Sequence, residues 1–250
     1  MERFKRWVFI GDLHGNFEVA TKTAYWALEQ KAKPIFMGDL TDSFSKTKKA
    51  QLYCIQFIRN MFDAGAICLW GNHDLSYINP GAFCCSGYSK AKDAYFKEAY
   101  SDLLRHESFT PFYYIADHNV LITHAGFDPS LIPEHYPEDI HPSEILAKAF
   151  TEDNAIALTT RTKFTNVGRH SGGYGVGGIT WARPQERTGP LPQDIIQVAG
   201  HTPQKTCNFN SNDNTWYIDS LEYGDRSILM LDEHGNFEVI EEQRWNLKEQ

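Results

Sequence analysis

The sequence has no apolar run long enough to cross a membrane. Its first such stretch, Trp7–Ile10, stops at Gly11 and Asp12, far short of the ~18 apolar residues a spanning helix needs. The same stretch follows a basic start but is too short for the apolar centre of a secretion signal. A soluble, cytoplasmic protein is expected. Cysteine is scarce: Cys54, Cys68, Cys84, Cys85 and Cys207 are five in 250 residues, an odd number without a CxxC pair. Adjacent Cys84 and Cys85 cannot bridge each other without strain. Reduced thiols follow, and a cysteine zinc site has no support. Basic runs are missing too. Lys and Arg number 24 against 32 Asp and Glu, a net −8, which disfavours a grip on a nucleic-acid backbone. The run KTKK at 46–49 reads as the solvated start of a helix. No internal repeat, linker or low-complexity tail is visible. The glycine-rich stretch 168–178 lacks the strand–loop–helix setting and GK[ST] ending of a P-loop, and reads as a mobile flap.

What is present is an ordinary globular composition, 42% apolar and 22% charged. A chain this long can bury roughly 70–75% of its unfolded surface without disulfide staples. One domain over 1–250 is expected, with an irregular insertion or lid at about 127–180, where Pro129, Pro133, Pro137 and Pro142 break regular structure. The first third alternates. Short apolar runs at 7–10, 34–37 and 66–70 each end in glycine, and apolar residues at helical spacing fill 17–30 and 48–64. This βαβαβ order implies parallel strands with right-handed crossovers. Further on, 90–105 reads as a helix, and 112–116 and 120–123 as two strands around a turn. Strands return at 195–199, 216–218, 227–231 and 237–240, and a second sheet built from these C-terminal strands is expected on the first.

Each early strand runs into a polar cluster: GDLHGN, GDLTD, then GNHD. In open α/β sheets the loops after strand carboxyl ends bind ligands, so the clusters should meet in space. Seven residues stand out: Asp12, His14, Asp39, Asn72, His73, His124 and His201. Carboxylates, imidazoles and one amide oxygen suit Mn²⁺, Fe, Zn²⁺ or Ni²⁺ rather than a thiolate-seeking metal. So many ligands would over-supply one ion. Two ions bridged by Asp39 use them all, and such a pair ~3.5–4 Å apart suits phosphoester hydrolysis. Taken singly, each residue has a plainer reading. Asp12 could cap a helix, His124 and His201 could be hydrogen-bonded core histidines, and Asn72 could serve a turn. His106, His118, His135, His141, His170 and His234 read as solvent or loop histidines.

The blocks GDLHG (11–15), GDLTD (38–42), GNHD (71–74), HAG (124–126) and GHT (200–202) resemble, in order, those of the calcineurin-like metallophosphoesterases. The likeness is to the phosphoprotein-phosphatase branch, with its bacterial and phage serine/threonine phosphatases and symmetrical diadenosine tetraphosphate hydrolases. The resemblance implies an α/β fold of two mixed β-sheets packed as an α/β/β/α sandwich. It gives Asp12, His14 and Asp39 to one metal, and Asp39, Asn72, His124 and His201 to the other. His73 becomes the general acid, oriented by Asp42. ITWARP (179–184) resembles the W-x-R element, which makes Arg183 a ligand for the substrate phosphate together with Asn72. WYIDS (216–220) places Asp219 and Ser220 near the rim. One departure matters: the branch usually reads GDxxDRG, and Ser43 stands here where that phosphate-binding arginine would be.

The function implied is a phosphatase using two divalent ions, manganese first, with a metal-bridging hydroxide as nucleophile and no phosphoenzyme. Its substrate would be phosphoserine or phosphothreonine in protein; the alternative is a nucleotide of the diadenosine tetraphosphate kind. A phosphodiesterase and a catalytically silent scaffold rank below these. The sequence leaves the oligomeric state open.

Overall fold

The computed structural model describes residues 4–134, 137, 139–151, 158 and 160–246; His135 lies outside them. Among these residues eleven strands form two mixed sheets. In the first, β1 (Trp7–Ile10), β2 (Lys33–Phe36), β3 (Ile67–Leu69) and β4 (Phe109–Thr110) run parallel. β10 (Ile228–Leu231) adds antiparallel to β1, and β11 (Phe237–Ile240) pairs with β10. The second sheet has the order β5 (Phe112–Ile115), β6 (Val120–Thr123), β7 (Ile196–Ala199), β9 (Thr215–Tyr217), β8 (Asn208–Asn210), with β6, β7 and β9 parallel.

Alternation along the strands builds the layers. Phe9, Ile35 and Leu69 of the first sheet meet Val120, Ile122 and Val198 of the second in an interior cluster. Their neighbours Val8, Ile10, Phe36 and Cys68 face the other way, into a cluster with helices α1 (Phe17–Glu29) and α2 (Lys48–Met61). Outside the second sheet, Leu121 shares that larger cluster with Ile145, Leu146 and Phe150 of a further helix. The result is the expected α/β sandwich of two mixed sheets.

Several expectations need correction. The C-terminal strands do not make a sheet of their own. β10 and β11 extend the first sheet, while β7, β8 and β9 complete the second. The third polar cluster is itself the first turn of helix α3 (Asn72–Ile78), which precedes α4 (Lys90–Leu104). The proline-rich excursion runs straight into α5 (Pro142–Thr151), with proline at its first position, where the missing N–H costs nothing. Asn16, not Asp12, caps α1, its Oδ1 accepting from Val19 N at 3.4 Å. The glycine-rich stretch is tied down. The buried Glu186 carboxylate accepts from His170 N and Gly177 N at 2.7 and 2.8 Å, and Gly178 N donates to Asn166 O. Three of the remaining histidines pack or bond: His106 stacks on Phe62, His118 meets Trp7 edge-on, and His141 bonds Asn119 and Ser143.

Among the described residues no helix is long and apolar enough to cross a membrane. None of the five cysteines forms a disulfide.

Candidate metal centre

The carboxyl ends of β1, β2 and β3 and of β6, β7 and β9 face one another across the sandwich, and each delivers part of the site. Backbone hydrogen bonds lock the loops together. His14 N donates to Asp39 O at 2.8 Å, Gly15 N to Leu40 O at 2.9 Å, and Gly200 N to His124 O at 2.7 Å. Glycine is needed where these loops cross. A Cβ on Gly71 would lie 2.1 Å from Asp39 Oδ1, and one on Gly200 would lie 2.4 Å from Asp12 Oδ1. His14, Asp39, Asp42 and His201 all hold positive φ, between 42° and 69°, which non-glycine residues adopt only when the surroundings enforce it.

Within this frame Asp39 is shared. It forms one close group with His14 and His73 and another with His124 and His201. Asn72 joins the second: its Oδ1 lies 3.0 Å from His124 Nε2 and 3.0 Å from His201 Nδ1. Asp12 falls outside both groups, but its carboxylate accepts from His201 N at 3.1 Å and lies 3.9 Å from His124 Nδ1. The chain therefore brings together all seven residues singled out in the sequence.

The imidazoles are aimed. His14 donates Nδ1–H to Thr41 O at 2.9 Å, and His124 donates Nδ1–H to Met37 O at 2.7 Å, which turns each Nε2 inward. That pattern, a backbone carbonyl holding the far nitrogen, is how metal-binding histidines are oriented. His201 turns Nδ1 toward Asn72 Oδ1, and burial with the charge of His124 holds this imidazole well below its usual range, in the neutral form a metal requires. Burial, then the charge of Asp219, pushes Asp12 up. Asp39 is pulled down against burial by His124 and His73. Burial works against His124, but Asp39 and Asp12 raise it to about 10. A cation placed here would supply the countercharge that His124 now provides. A shared carboxylate, a neutral imidazole and an amide oxygen faced by two imidazole nitrogens fit a pair of divalent metal ions.

His73 stands at the edge. Its Nδ1 is 3.0 Å from Asp42 Oδ2, and its ring meets His14 edge-on at 5.1 Å. Burial lowers its proton affinity, yet the charge of Asp39 and the bond to Asp42 win and push it up to about 12. Asp42 also accepts from Tyr77 OH and from Lys92 Nζ, the latter at 3.1 Å. Arg183 donates Nε–H to Ser171 Oγ at 2.9 Å, and its charge is felt at His201. Asp219 is buried, and burial raises its carboxyl to about 6.

Sequence reasoning missed Asp74. Its fully buried carboxylate accepts from Asp39 N, Leu40 N and Gly71 N at 2.8, 2.9 and 3.0 Å and from Tyr100 OH at 2.6 Å. It thus fastens the second loop to the third. An acid three residues into a helix, reaching back to the capping N–H, was the available signal. Lys92 and Tyr77 gave none, because their partner lies far away in sequence.

This arrangement agrees with the comparisons. The sequence profile of the calcineurin-like phosphoesterases matches residues 5–216, and the chain belongs to that family. It is a metal-dependent phosphoric ester hydrolase. No curated protein matches it in sequence. Among solved structures it is similar to a cold-active protein-tyrosine phosphatase of a psychrophilic Shewanella species, at 16% identity and a TM-score of 0.56, covering 96% of this chain and 81% of that one. It is also similar to a candidate diadenosine tetraphosphatase, at 15% identity and a TM-score of 0.51, covering 94% and 93%. At such identities these likenesses speak for the fold.

Proposed function

We propose that the chain is a cytoplasmic phosphatase that holds two divalent ions, manganese by preference, and hydrolyses phosphate monoesters. Asp12, His14 and Asp39 hold one ion, and Asp39, Asn72, His124 and His201 the other. The observation that carries this reading is the sharing of Asp39 between two groups of imidazoles, one of them facing the side-chain oxygen of Asn72. When bound, such a pair lowers the pKa of a water and neutralises the oxygens of the phosphate. His73 keeps a proton for the leaving oxygen, and Asp42 fixes its ring by the 3.0 Å bond to Nδ1. Asn72 and Arg183 bind the phosphate, the latter through a planar fork suited to its oxygens.

Phosphoserine or phosphothreonine in protein is the substrate that the branch resemblance favours. A nucleotide is the second reading, and a cationic cavity beside His14 speaks for it. A panel of p-nitrophenyl phosphate, a phosphoserine peptide, diadenosine tetraphosphate and bis-p-nitrophenyl phosphate, each with Mn²⁺, tests the reading. Cleavage of the first with either of the next two is expected. Cleavage of the diester alone would overturn it.

A further inference from the structure

Ser43 occupies the position where the resemblance expects a phosphate-binding arginine, and the structure shows what the loop does instead. Ser43 Oγ accepts from Ser45 N and from Lys46 N, both at 3.1 Å, so the chain folds back on itself. Gln51 Nε2 fixes the same turn by donating to Lys46 O at 2.9 Å. The turn sets Lys46 in the wall of a cavity of about 220 Å³ that also takes in His14, Ser43, Glu222 and Arg226. Room for several waters is room for one phosphoryl group. Arg226 is steadied by an ion pair with Glu242 at 2.6 Å. Glu222, 4.0 Å from His14 Nε2, is the one carboxylate in a lining that also holds Lys46 and Arg226, and the cavity opens against a ligand of the candidate metal centre.

The rim adds a second chemistry. Phe44, between the lining residues Ser43 and Ser45, is 82% exposed, and Tyr223, next to Glu222, is 69% exposed. Exposed aromatic rings beside a polar cavity offer faces on which a nucleobase can stack whatever its identity.

We infer that this cavity is a subsite for the phosphate adjoining the scissile one in a nucleoside di- or polyphosphate, held by Lys46 and Arg226, with Phe44 and Tyr223 stacking the base. The inference rests on the phosphohydrolase reading above and names a substrate for the same centre. In the reaction the water oxygen forms the new bond to phosphorus and the bond from phosphorus to the bridging oxygen breaks. That oxygen departs on the phosphate in the cavity, the water's excess proton goes to solvent, and nothing is oxidised or reduced. A phosphate is a better leaving group than an alkoxide and needs no proton from His73.

The test uses the Mn²⁺-loaded protein and compares kcat/KM on ADP and diadenosine tetraphosphate with kcat/KM on p-nitrophenyl phosphate. In K46A and in F44A the nucleotide-to-p-nitrophenyl ratio should fall at least tenfold. Affinity for α,β-methylene ADP, read by calorimetry, should fall by a similar factor. K49A, at an exposed lysine outside the cavity, should keep the wild-type ratio. A ratio that moves less than twofold in both K46A and F44A overturns the subsite. So does cleavage of p-nitrophenyl phosphate with no nucleotide cleavage, which leaves the phosphohydrolase reading standing. If K46A instead selectively impairs cleavage of an acidic phosphopeptide, the nucleotide assignment is wrong. Cleavage of none of these substrates would remove both readings.

Discussion

The side-chain oxygen of Asn72 lies 3.0 Å from Nε2 of His124, an imidazole whose other nitrogen is pinned 2.7 Å from Met37 O. One residue comes from the first sheet's third loop and the other from the second sheet, so the contact ties the two halves of the sandwich together at the site. Replacing Asn72 removes an oxygen that two imidazoles face. N72A should weaken Mn²⁺ binding at least tenfold, an effect of the size seen when groups around a metal are removed. Calorimetric titration of the metal-stripped variant checks this.

Asp39 has no space to move. G71A would set a methyl 2.1 Å from Asp39 Oδ1 and 2.3 Å from Asp39 N, so the backbone of one of the two loops must shift. The expected outcome is a folded protein, by circular dichroism, with phosphatase activity reduced at least tenfold. G81A, whose Cβ meets only Asn79 Oδ1 at 3.3 Å in an exposed loop, should behave as wild type.

Asp74 touches no candidate metal ligand's side chain, yet it satisfies three backbone N–H groups, two of them on Asp39 and Leu40. Removing it strands buried donors, each of which costs about 1–3 kcal/mol. D74A should lower the unfolding free energy by about 3 kcal/mol in a urea titration, and D74N, which keeps one of the two acceptor oxygens, by less.

Much of the fold was legible because its strands are bounded. The runs 7–10, 34–37 and 66–70 each stop at a glycine, and each is a strand of the parallel core to within a residue or two. Pairing partners were not legible: nothing in the alternation of Ile228–Leu231 says that it joins Trp7–Ile10 rather than Thr215–Tyr217. Helix α3 was hidden because its first turn, Asn72-His73-Asp74, is polar and reads as a loop. Helix α5 was passed over as part of the irregular insertion, although Pro142 at its start and Ile145, Leu146 and Phe150 at helical spacing are signals for it. For the site, residue type after a strand end marked Asp12, His14, Asp39, Asn72, His73, His124 and His201. Lys92 and Tyr77 on Asp42, and Glu186 under the glycine-rich stretch, depend on the three-dimensional crossing of segments, which the sequence does not display.

Away from the site, Glu233 provides a check on the surface electrostatics. The side-chain hydrogen bond from Arg6 and its own backbone N–H lower its carboxyl from an ordinary 4.5 to about 2. A depressed acid stabilises the fold above its unfolded value, and that contribution is lost as pH falls from about 4.5 toward 2. Carbon-detected NMR should find the Glu233 midpoint near 2, and R6A should return it toward 4.5. An unmoved midpoint in R6A would mean that Arg6 is not its partner in solution.

The reading of two ions bridged by Asp39 is tested most directly by titrating metal-stripped protein with Mn²⁺ while following hydrolysis of p-nitrophenyl phosphate. Two tightly bound equivalents are expected, with activity rising as the second binds. H201A should keep one equivalent, and D39A none that binds tightly. Less than one tightly bound equivalent in the wild-type protein, with no Mn²⁺-stimulated cleavage, would contradict it.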